Sequence, residues 1–205
     1  MKSNKLFLIV IAIAVISIMV YVVRSSQESQ AYIEEIEMYW AKHNNFLKHS
    51  NSSPVKDKEA FEGVKFFPPN TDYKVVAAME MIESGETITL ETSDHQTRVY
   101  LKYARLSFEL LGRSYGLTLF QNTKDKSDYF LPFFDHTNGV STYGAGRYLP
   151  VNVKSLKSVE LDFNKTINPY CAYNKEYSCP VPPKENFLAM QVLAGEMYKS
   201  MVDSQ

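Results

Sequence analysis

The chain has 205 residues, 45% of them hydrophobic and 22% charged, a balance that fits a globular protein and excludes general disorder. Its formal net charge is −1. Lys2, Lys5 and Arg24 are the charges of the first 24 residues; with them set aside, 19 basic side chains face 23 acidic ones, without a basic run. A weakly acidic domain of this kind has no electrostatic reason to bind nucleic acid, and that class is excluded.

Leu6 to Val23 is an uncharged apolar run of 18 residues. As a helix it spans about 27 Å, close to the ~30 Å of a bilayer's hydrocarbon core. The apolar region of a cleaved signal peptide runs ~7–15 residues. Arg24-Ser25-Ser26-Gln27-Glu28 offers no small-x-small cleavage site, and no cysteine lies near. The segment therefore reads as an uncleaved membrane anchor. Lys2, Lys5 and the free amine on one flank outweigh Arg24 on the other. This predicts a cytoplasmic N-terminus and a periplasmic or extracellular domain. Residues 1–25 are read as tip and anchor, 26–52 as a helical stalk, and 53–205 as one β-rich domain.

Tyr32, Ile36, Tyr39, Trp40, Phe46 and Leu47 recur at helical spacing and predict a helix over 27–49, broken by Asn51-Ser52-Ser53-Pro54. Lys56 to Phe61 is expected to form a short helical turn. From Tyr73 the pattern changes to short segments of period two: 73–81, 86–92, and 98–105 with Val99, Leu101 and Tyr103 on one face. A hairpin across Gly112-Arg113-Ser114 joins 106–111 to 116–121, and further strands are expected at 129–134, 142–153 and 158–163. Residues 186–197 fit either element; a strand ending at Gly195 is preferred. No helix of crossover length separates the segments, which argues against parallel βαβ units. The expected class is mainly β (α+β), an antiparallel barrel or sandwich.

Between Phe130 and Glu196 the chain reads Phe-Leu-Pro-Phe-Phe-Asp-His-Thr-Asn-Gly, then Thr-Tyr-Gly-Ala-Gly-Arg-Tyr-Leu, Leu-Asp-Phe-Asn, Asn-Pro-Tyr-Cys-Ala-Tyr, Cys-Pro-Val-Pro-Pro-Lys-Glu-Asn and Ala-Gly-Glu. Together with Gly63-Val64-Lys65-Phe66-Phe67-Pro68 and Tyr73-Lys74-Val75, these motifs resemble the bacterial domain-of-unknown-function family numbered 1684, from roughly Ser53 to Glu196. The resemblance implies a compact, largely β domain and brings no activity. His136 lies outside the pattern, so it reads as a solvated loop residue.

The candidate chemistry centres on Tyr143-Gly144-Ala145-Gly146-Arg147. Two glycines in a strand mark a bulge or a close approach, and an arginine after them can present its fork to a carboxylate or phosphate. The alternative is an internal pair of Arg147 with Asp135 or Asp162. Asp135 is a candidate general base, yet Asp-His-Thr-Asn-Gly is also ordinary turn chemistry. Asp162 and Asn164 either line a pocket beside Arg147 or tie down the loop opened by Asn168-Pro169. Cys171 and Cys179, an even pair at short range, read as a structural disulfide. No pattern implies a metal or cofactor. The functional expectation is a binding module for a small anionic ligand or envelope partner near Arg147. The alternative is an envelope enzyme using Asp135, Arg147 and Asp162 or Asn164.

Overall fold

The structure is a computed structural model that describes the backbone of residues 2–198 and the side chains of Phe7 and residues 9–198. The Lys2 and Lys5 side chains, on which the orientation reading rests, and residues 199–205 lie outside the described parts. Helix α1 runs Lys2–His49 without interruption, so anchor and stalk are one rod of 48 residues, about 72 Å long. The two ends of this rod behave differently. Ile9 to Val23 buries nothing; its large apolar side chains stand exposed. The helix is long and apolar enough to cross a membrane. From Tyr32 onward one face of the helix lies on the β domain, with Ile36 and Leu47 fully buried. The helix stops where Ser53 Oγ donates to the Leu47 carbonyl (2.6 Å) and so occupies one of the free carbonyls of the last turn. The turn of helix expected at 56–61 does not form; that segment is irregular.

Among the described residues the domain holds nine strands: β1 (Lys74–Met81), β2 (Thr87–Glu91), β3 (Thr97–Leu110), β4 (Arg113–Asn122), β5 (Tyr129–Phe130), β6 (Pro132–Asp135), β7 (Arg147–Tyr148), β8 (Ser158–Asp162) and β9 (Phe187–Leu188). Six form an antiparallel sheet in the order β5-β4-β3-β1-β8, with β2 beside the first half of β3. The remaining three form the order β7-β6-β9, in which β6 and β9 run parallel over two residue pairs. Among the described residues no barrel closes: β5 and β8 end the large sheet at opposite edges, and the small sheet packs over it in a sandwich-like way. Leu106, Leu117, Leu119 and Leu161 from the large sheet meet Phe133 and Leu188 from the small one in a common core.

The segments expected at 98–105 and 106–111 are one strand. A β-bulge between Lys102 and Ala104 shifts the register, so Lys102 opposes Phe120 while Ala104 opposes Leu119. An extra residue inverts which face each later side chain takes. Tyr100 and Phe120 therefore join Leu90 in a satellite cluster, while Ala104, Leu106 and Phe108 enter the main core. Val99 is exposed, contrary to the expected face. The long strands expected at 142–153 and from 186 to Gly195 shrink to Arg147–Tyr148 and Phe187–Leu188. Around them the chain is held by side-chain bonds instead of a ladder.

Candidate functional site

Arg147 is completely buried. Strand pairing places it opposite Phe133, and its guanidinium lies 5.3 Å from that ring. Nη2 donates to Asp135 Oδ2 (2.8 Å) and to the Val192 carbonyl (2.9 Å), while Nη1 donates to the Ala194 carbonyl (2.6 Å). Asp135 is filled in turn. Its Oδ1 accepts from the Thr137 amide (2.7 Å), the Thr137 hydroxyl (2.6 Å) and the Val192 amide (3.3 Å). Burial pulls the arginine below its ordinary pKa, and the adjacent Asp135 carboxylate opposes that pull. Gly146 is needed here: at φ +91° its position would bring a Cβ to 2.5 Å from Pro182 Cγ. A Cβ at Gly144 would meet only Gly139, at an ordinary contact distance of 3.8 Å, so Gly144 plays no such part. The arginine expected to meet an external anion thus braces β6, β7 and the segment 192–194 from inside.

Asp162 and Asn164 lie elsewhere, in the seam between α1 and the domain. Asp162 Oδ1 accepts from the Tyr32 hydroxyl (2.7 Å), and Asn164 Nδ2 donates to the Tyr32 oxygen (2.8 Å) and the Asn70 carbonyl (2.9 Å). Asn164 Oδ1 accepts from the Asn70 amide (3.0 Å), and Trp40 Nε1 donates to the Asn164 carbonyl (2.8 Å). Further along the seam the fully buried Glu196 takes both the Asn168 side-chain amide (2.8 Å) and its backbone amide (3.0 Å). Glu196 also accepts from the Tyr173 hydroxyl and lies 3.3 Å from His43 Nε2. The residues missed by sequence reasoning, Tyr32, Asn70, Trp40, His43 and Tyr173, are the partners across this seam. Trp40 and His43 share the helical face that begins at Tyr32, so the apolar stripe was their available signal.

The predicted disulfide is absent. Cys171 and Cys179 are free, buried thiols. The Cys171 amide donates to Cys179 Sγ (3.1 Å), and the Tyr143 hydroxyl donates to Cys171 Sγ (3.8 Å). A hydrogen bond from Cys179, opposed by burial and helped by Ser93 and Tyr143, brings Cys171 down to about 6. Cys179, whose proton bridges to its neighbour, is driven upward. Tyr143 is raised by burial and by the adjacent Cys171. It serves the thiol pair and not the arginine.

The expected site residues therefore fall into separate groups: Asp135 with Arg147, Asp162 with Asn164, and Tyr143 with the cysteines. They do not converge on one pocket. Among the described residues no group of His, Cys, Asp or Glu is placed to hold a metal ion. His136 is exposed, with its ring 5.3 Å from that of Phe187. The concave surfaces lie on the large sheet. One, of about 850 Å³, crosses its outer face over Val76, Ala78, Ser107 and Gly116. The other, of about 530 Å³, lies between Pro150–Ser155 and β8 and reaches Asp162 and Lys165. They meet at Val76.

Comparison with known proteins bears on the architecture. A solved structure, the solution NMR structure of an uncharacterized protein from Haloarcula marismortui, is similar with a TM-score of 0.66 at 35% identity. The match covers 85% of this chain and 98% of that one. Among curated proteins no match is found. A family model matches residues 59–197, which takes in the strands, the Arg147 brace and the thiol pair. The chain belongs to the family described as protein of unknown function DUF1684.

Proposed function

We propose that the protein is a membrane-tethered binding module of the cell envelope. Its helix crosses the bilayer with the N-terminus in the cytoplasm and holds the β domain rigidly at the outer surface. The observation that carries this reading is the uninterrupted α1, exposed and apolar from Ile9 to Val23 and bonded to the domain from Tyr32. Tyr32 lies nine helical steps beyond Val23, about 13 Å, so the domain stands just beyond the headgroup layer in a fixed orientation. A hinge would let the domain swing freely; a continuous helix bonded to β8 fixes which surface faces the membrane.

Binding is favoured over catalysis because the conspicuous polar groups are consumed by internal partners. Asp135 and Arg147 bond one another and nearby backbone, with Nε of the arginine left buried and unpaired, and Gly146 serves packing against Pro182. In an exported location the adjacent thiols of Cys171 and Cys179 would be oxidised to a disulfide by exchange with an envelope disulfide, which leaves as two thiols. Fractionation tests the tether. The full chain should sediment with membranes and resist extraction by high salt, whereas a chain beginning at Ser26 should be recovered in the soluble fraction. Recovery of the full chain in the soluble fraction would refute the anchor.

A further inference from the structure

We infer that the splayed hairpin formed by Pro150–Ser155 and β8 is a docking groove for an extended peptide segment of a partner protein, which adds to the sheet as a strand. The inference names the contact surface of the binding module proposed above, but its geometry belongs to the domain alone.

Among the described residues β8 ends the large sheet: it pairs with β1 on one side and with no strand on the other. In an antiparallel pair every second residue turns its N–H and C=O away from the partner, so the outer edge of β8 presents free donors and acceptors. The chain reaches β8 through Pro150–Ser155 and a turn in which the Lys157 amide donates to Ser155 Oγ (3.1 Å). That approaching arm carries no regular secondary structure, and Val151 and Val153 lean on the core. Among the described residues, 150–155 make no backbone–backbone hydrogen bond. Two adjacent, antiparallel arms would ordinarily zip into a hairpin. Here they stand apart, and the space of about 530 Å³ between them is lined by both arms along their length. From the strand and sheet spacings, one residue of a packed strand fills roughly 160 Å³, so the groove accepts about three to four residues. Unpaired backbone on both walls is what an inserted strand recognises, and alternate side-chain positions supply selectivity.

The floor is apolar at the exposed Val76, opposite Glu160 in the sheet, which favours a peptide with a small apolar residue there. The rim is charged, and its charges are unequally engaged. Glu160 pairs with Lys74, and Lys165 pairs with Glu35 and Asp162. Lys154 makes no ion pair among the described residues, so an acidic side chain on the guest has a partner waiting. Asp162 Oδ2, at the same groove, is held by Lys165 Nζ (3.4 Å) and is already engaged. Because Asp162 and Lys165 also touch Tyr32 and Glu35, the groove opens beside the root of the helix, where another envelope protein would lie.

The test uses the full chain in detergent micelles and the probe acetyl-Thr-Val-Glu-Val-Thr-Val-amide within a panel of alternating hexapeptides. The expected result is binding that slows amide hydrogen exchange at 151–155 and 158–162. N-methylation of alternate peptide nitrogens should weaken that binding about tenfold or more, since it removes main-chain donors and keeps every side chain. Lys154→Glu should weaken the Glu-bearing probe and favour a Lys-bearing one. Equal affinity for the N-methylated probe, protection elsewhere, or no binding by any panel member at about 1 mM would overturn the groove. Failure of the membrane tether would appear separately, as full chain in the soluble fraction, and would leave this result intact.

Discussion

The Arg147 knot and the splayed hairpin that follows it are opposite solutions to the same problem, how to place polar groups in a small β domain. In the knot an arginine, an aspartate, a threonine and two carbonyls close on one another, and both terminal nitrogens of the guanidinium are bonded. In the hairpin, a few residues later, the side chains are unremarkable and the backbone is left open. The rich cluster makes structure, and the plain one makes surface. Desolvation explains the difference. A buried charge is tolerated only when paired, whereas an exposed backbone group costs nothing until something competes with water for it.

The contrast can be broken first at the knot. Arg147→Met should destabilise the full chain by about 3–5 kcal/mol in denaturant titrations, because Asp135 is left buried without its cation. Adding Asp135→Leu should recover part of that loss; no loss in the single variant would mean the pair is not a brace. Gly195→Ala comes next. Its φ is +75°, and an added Cβ would lie 2.7 Å from the Thr166 carbonyl oxygen, so a loss of about 1–3 kcal/mol is expected. At the helix seam Asn164→Ala should cost about 1–3 kcal/mol, since the Asn70 amide and the Tyr32 hydroxyl lose their partner. Trp40→Phe keeps the stacking on Phe66 and removes one hydrogen bond, for about 0.5–1.5 kcal/mol. Lys154→Glu should change stability by less than about 0.5 kcal/mol, the mark of a surface residue.

The reduced thiols sharpen the picture by titration. Cys171 sits below its ordinary value because the fold favours its thiolate. The stability this contributes is lost as pH falls through about 6 and grows as pH rises toward 9. Thiolate absorbance of the reduced protein should show one group ionising near pH 6, with the second delayed well beyond a free thiol. Two independent ionisations at ordinary values would show that the sulfurs do not share a proton.

Much of the fold was legible. The apolar run, the stripe from Tyr32 to Leu47 and the alternation from Tyr73 all report on local periodicity, and the structure has a helix and strands there. The bulge at Lys102–Ala104 also left a trace, because the apolar positions change parity beyond Tyr103; a parity change reads equally as a strand end. Pairing across the chain left none. Nothing local to Asp162 announces Tyr32, 130 residues away, and nothing at Arg147 announces the carbonyls of Val192 and Ala194. The motifs stood out for chemistry because arginine and aspartate are rare inside proteins, and the same rarity marks a buried brace. The groove left no trace, since an absent hydrogen bond has no residue type.

Hydrogen exchange on the full chain, without any added peptide, tests most directly the division between closed knot and open edge. The amides of Tyr148 and Leu149, bonded to Ile167 and Leu131, should exchange slowly, and those of Val151 to Ser155 just beyond them should exchange orders of magnitude faster. Equal protection across that boundary would mean the arms are zipped in solution, and the edge would not be free for a partner.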